Sequence, residues 1–91
     1  MSIQKFNYNE LLVRAFNDTE NNIWFVGRDV AKVLEYKNTK KAIIDNVDEE
    51  DKKRASDYKG NWKLPLVKLH PQSLLINESG LYFLILRSFS V

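Results

Sequence analysis

The chain has 91 residues, 44% hydrophobic and 29% charged, which suits one small folded domain and excludes wholesale disorder. With no cysteine and a single histidine, a disulfide framework, a thiolate zinc site and a multi-histidine metal centre are all excluded. A net charge of +2 permits a nucleic-acid partner without demanding one.

The opening MSIQKFNYNE lacks the basic segment and apolar run of a signal peptide. No uncharged apolar stretch reaches the roughly 18 residues of a membrane span. A soluble, intracellular chain is therefore expected.

Ile3, Phe6 and Tyr8 among polar neighbours give a weak strand signal. Leu11 to Phe16 is a clearer strand, and Ile23 to Val26 is a fully apolar run of strand length. The six polar residues Asn17 to Asn22 between them predict a loop and an antiparallel hairpin. The period changes at Gly27. Val30, Ala31, Val33 and Leu34 make one helical face in GRDVAKVLEY. Asp29 suits the positive end of that helix. Asn38 or Thr39 can cap a second helix, KKAIIDNV, whose buried side is Ala42, Ile43, Ile44 and Val47. Residues 27–47 thus read as helix, short turn, helix.

Residues 48–63 are mostly charged and read as an exposed connection, with one helical turn near Glu49–Arg54. Trp62 to Leu69 reads as extended, with Pro65 at an edge or bulge. Leu74 to Ile76 is a short strand. Asn77 caps a last helix from Glu78 to about Ser88, in which Gly80 weakens the first turn. That helix is apolar nearly all round, so a second layer should cover it. The expected core is Trp24, Phe25, Val30, Leu34, Ile43, Leu75, Leu81 and Leu84. The fold class expected is α+β: a small antiparallel sheet against about three helices, two of them a helix-turn-helix-like pair.

Catalytic machinery finds little support. His70 sits in Leu69-His70-Pro71, a turn context, with no nucleophile pattern beside it. The run Asp48-Glu49-Glu50-Asp51 lacks the alternating spacing of a calcium loop and reads as solvated charge. Isolated glycines cradle no phosphate, and no cofactor motif is present. A non-enzymatic role follows.

The binding candidates are basic. Between Gly27 and Lys41 lie Arg28, Lys32, Lys37, Lys40 and Lys41, opposed only by Asp29 and Glu35. Lys40 and Lys41 fall in the first turn of the second helix, where the dipole disfavours cations by roughly 0.3–1 kcal/mol each. Cations there make better sense beside a phosphate, with Asn38 and Thr39 able to reach a base edge or phosphate. Against this, paired amphipathic helices are common core units, and the spacing departs from the usual motif. With Ala31 as its small residue, the turn glycine should fall at Glu35 and the apolar residue at Lys41, not Ala42. A second basic group, Lys52, Lys53 and Arg54 with Lys59 and Lys63, flanks Tyr58 and Trp62. It offers auxiliary phosphate contacts or single-strand stacking, although Trp62 reads more simply as a core anchor.

The stretch WFVGRDVAKVLEYKN, then KKAI and V-D-E-E-D-K, then LPLVKLHPQSLLINESGLYFLILRS, resembles the N-terminal domain of the BRO family, across about residues 11–88. Val13-Arg14 fits as well. The resemblance implies a DNA-binding module of a viral or prophage regulatory protein, such as a phage antirepressor. Its setting would be insect-virus host cytoplasm or nucleus, or bacterial cytoplasm. It also implies one domain over residues 1–91. Two departures stand out. The family usually has L-G-Y where this chain has Leu34-Glu35-Tyr36, and members continue past the last helix where this chain ends in SFSV. Duplex DNA is the favoured partner. The rival reading is a protein-interaction or homodimerisation module working through the apolar C-terminal helix.

Overall fold

The computed structural model describes residues 3–8, 11–57 and 69–89. Five strands form one antiparallel sheet: β1 (Ile3–Tyr8), β2 (Leu11–Asn17), β3 (Ile23–Val26), β4 (Lys52–Arg54) and β5 (Leu74–Ile76). Their spatial order is β1-β2-β3-β5-β4. Three helices accompany it: α1 (Gly27–Val33), α2 (Thr39–Asn46) and α3 (Glu78–Ser88). The expected α+β class holds. None of the helices among the described residues is long and apolar enough to cross a membrane.

Alternation along the strands sorts side chains between the two faces. Ala15 lies opposite Phe25, and Phe25 opposite Ile76. These three join Val30, Ala42, Ile43, Val47 and Leu84 in the main core, beneath the helices. Shifted by one residue, Phe16 pairs with Trp24 and Val26 with Leu75. Those four form a smaller cluster with Leu69. Of the expected core, Leu34 and Leu81 are only partly buried.

The hairpin between β2 and β3 forms as expected. Asp18 organises its loop by accepting from the backbone N–H of Glu20 and Asn22, and from Trp24 Nε1 at 3.0 Å. Asn21 takes the left-handed conformation, φ 65°, which asparagine tolerates well.

Helix α1 ends one turn earlier than the sequence pattern suggests. Glu35 has φ 66°. Tyr36 N–H donates to the Ala31 carbonyl and Glu35 N–H to that of Lys32. This is a Schellman cap with glutamate in the seat that normally favours glycine. Tyr36 then packs on the core and donates its hydroxyl to the Leu84 carbonyl at 2.8 Å.

Two features fall differently from the sequence reading. Lys52–Arg54 is a strand at the sheet edge, not part of a helical turn; the helical turn is confined to Glu49–Asp51. A three-residue charged edge strand has no apolar alternation to betray it, and lysine at an edge is how sheets discourage further pairing. Gly80 is buried and lets α3 lie close to the sheet. A Cβ there would sit 3.0 Å from Val47 Cγ1 and 3.1 Å from Ile76 Cβ. The extended segment expected from Trp62 onward lies outside the described residues up to Leu69.

Candidate nucleic-acid interface

The local sequence explains the position of the basic residues. Asn38 caps α2, its Oδ1 accepting from Lys41 N–H at 3.0 Å. The first turn of α2 is therefore Thr39, Lys40 and Lys41, with no acidic residue in it. Lys41 lies 3.8 Å from Asp45, both well exposed, a pairing worth little in water. Arg28, Lys32, Lys37, Lys40 and Arg54 are exposed and make no ion pair with any described residue.

Two adjoining clefts gather part of this set. One, of about 230 Å³, is bordered by Arg14, Arg28, Thr39, Lys40, His70 and Gln72, among others. The other, of about 570 Å³, is bordered by Lys40, Lys53, Arg54 and Gln72, with Lys52, Glu49 and Asp57. Lys40, Gln72 and Leu74 belong to both. Two basic groups more than ten residues apart in the chain thus meet across β5 and the turn before it. Lys32, Lys37, Asn38 and Lys41 border neither cleft.

The three described residues of the second group have different fates. Arg54 is exposed. Lys53 holds its ammonium 4.0 Å from the centre of the Trp24 ring, a cation–π contact that carries the charge to the sheet face of the smaller cluster, away from Arg54. Lys52 is turned inward. Its side chain is 8% exposed, and its ammonium donates to the carbonyls of Val47 at 2.8 Å and Ile44 at 3.3 Å, with Glu49 at 3.4 Å. It caps the C-terminal end of α2, where a cation complements the dipole. The phosphate contact expected of Lys52 is thereby corrected. Lys59, Lys63, Tyr58 and Trp62 lie outside the described residues.

Sequence reasoning missed Arg14, His70 and Gln72 at the cleft. Arg14 donates to Asp29 from Nε at 2.7 Å and from a terminal nitrogen at 3.0 Å. This hydrogen bond, against the cost of burial, raises the guanidinium pKa further above its already high value. His70 Nδ1 accepts from Gln72 N–H at 3.1 Å. Neither contact is visible in spacing, because each depends on a turn or a tertiary approach.

The acidic run is more convergent than its sequence suggests. The short helical turn brings carboxylate oxygens of Asp48, Glu50 and Asp51 within 4.8 Å of one another. Asp51 also accepts from Asn77 Nδ2 at 3.0 Å, tying the turn to the α3 cap.

Residues 12–90 match the family described as the BRO family, N-terminal domain. The chain belongs to the BRO family. An uncharacterized protein of Haemophilus influenzae is 34% identical over 83 residues, covering 91% of this chain and 38% of the relative. The BRO domain here therefore spans well under half of that protein's length. No solved structure matches it. The resemblance drawn from WFVGRDVAKVLEYKN and the later motifs is upheld, and BRO membership supports DNA binding for the domain.

Proposed function

We propose that this domain binds duplex DNA, chiefly through its phosphate backbone, as the DNA-binding part of a BRO or antirepressor-like regulatory protein of viral or prophage origin. The observation that carries the reading is the convergence of Arg28, Thr39 and Lys40 with Arg54 on two clefts that share Lys40. Lys32, Lys37, Asn38 and Lys41 extend the contacts around the start of α2. Arg28, Lys40 and Arg54 carry charge that no described carboxylate neutralises. Unneutralised cations on one surface attract a polyanion, and each phosphate contact releases condensed counterions. Sequence preference should be modest, because most of these side chains suit phosphates rather than base edges.

Titration of a fluorescent 30-bp random-sequence duplex and its single strand, at low and moderate salt, tests this reading. The native chain should bind the duplex more tightly than the strand. The Lys40→Glu, Arg54→Glu variant should lose that binding. Equal binding by native and variant chains would reject the surface.

A further inference from the structure

We propose that two copies of this chain pair through α3, each seating the exposed ridge of that helix in the apolar groove beside the other copy's α3. The ridge is Tyr82, Leu86 and Phe89, which are 59%, 63% and 81% exposed. Their i, i+4, i+7 spacing places them along one side of the helix. Leu84, on the opposite side, is fully buried in the core. Six consecutive apolar residues, Leu81 to Leu86, put no charge in the middle of the helix, and the exposed Glu78 and Arg87 stand only at its ends.

The groove runs between α1 and α3 over the sheet. It has a volume of about 310 Å³ and is bordered by Val13, Val30, Val33, Leu34, Leu81 and Ile85. Its lining is wholly apolar. Leu81 and Ile85 form one wall, and they neighbour the ridge on the same helix. Ridge and groove therefore lie side by side, which is what a two-fold axis needs. One operation puts each ridge into the other copy's groove. An unrelated helix filling the groove alone would leave Tyr82, Leu86 and Phe89 in water.

The area is sufficient for a reversible dimer. With Phe83, itself 45% exposed, the ridge presents on the order of 450 Å² of largely apolar surface. That matches the largest apolar patch of a typical soluble monomer, a kind of patch that is often functional. Two ridges with their grooves would remove about 1,000–1,200 Å² from water, the lower edge of specific interfaces. None of the groove or ridge residues borders the basic clefts, so a dimer would present two DNA surfaces.

Sedimentation equilibrium over low to high micromolar concentration tests the proposal. The native chain should approach twice its 10.7 kDa mass as concentration rises. The Tyr82→Asp, Phe89→Asp variant should stay monomeric with an unchanged circular dichroism spectrum, since both side chains project into water. Lys40→Glu should leave the dimer intact. A native chain that stays monomeric at high micromolar concentration would overturn the proposal and give the groove to a different occupant. So would a dimer that survives both the ridge variant and a Val33→Glu change in the groove.

Discussion

Arg14 and Asp29 are joined three times over: by two guanidinium hydrogen bonds and by the Arg14 backbone N–H, which donates to the same carboxylate at 3.1 Å. Strand β2 is thereby tied to the first turn of α1, and Asp29 is 8% exposed. The arrangement locks the helix that carries Arg28 against the sheet that carries the cleft. Asp29→Ala would strand the guanidinium and a backbone N–H together. We expect a loss of about 2–3 kcal/mol, read by urea unfolding. Arg14→Lys keeps the charge but loses the bidentate fork, and should incur part of that loss.

Glu35→Gly should stabilise the domain. A non-glycine residue at φ 66° bears a steric cost of roughly 1–2 kcal/mol. Glycine removes that cost but loses some entropy on folding. The net gain should be about 0.5–1 kcal/mol, which for a domain this size raises the midpoint by a few degrees, roughly 2–8 °C. Thermal unfolding followed by circular dichroism checks it; an unchanged or lowered midpoint would contradict the cap geometry.

Gly80→Ala should go the other way, although alanine is the better helix former. The new methyl meets Val47, the Ile76 stem and, at 3.3 Å, the Asp51 carbonyl. Two of those three atoms are fixed to backbone or side-chain stems and cannot swing aside. Overpacking of this kind costs about 1–3 kcal/mol, measurable in the same unfolding experiment.

Acid should loosen the β2–β3 loop through Asp18. Slight burial works against the carboxylate charge, but donation from Trp24, Asn22 and Glu20 outweighs it, so its pKa is lowered. A depressed folded-state value means the stabilisation is complete above the ordinary aspartate range and is lost as pH falls through the folded value. Asp18→Asn should flatten that part of the acid limb of a stability–pH curve. A limb identical to the native one would show that Asp18 does not contribute.

Much of the fold was legible because its signals are local. The polar loop between two apolar runs marked the β2–β3 hairpin, and the Val30-Ala31-Val33-Leu34 face marked α1. Asn77 before an apolar run marked α3, where its Oδ1 does accept from Gly80 N–H at 3.0 Å. What escaped was tertiary. Strand β4 has no pattern of its own and exists because β5 offers it an edge. Lys52 and Arg54 look alike in the sequence, yet one is consumed by α2 carbonyls and the other is exposed. The glycine expected at Glu35 did point to a real turn, since the backbone there is left-handed with glutamate in place.

The central claim is that cations from separate parts of the chain act as one DNA-binding surface. The most direct measurement is the salt dependence of duplex affinity for the native chain, Lys40→Gln, Arg54→Gln and the double variant. With about four phosphates neutralised, log K should fall against log salt with a slope near −3.6. Each single variant should flatten the slope by about 0.9, and the double variant by about twice that. A flat native slope, or an Arg54→Gln slope equal to the native one, would contradict a shared surface.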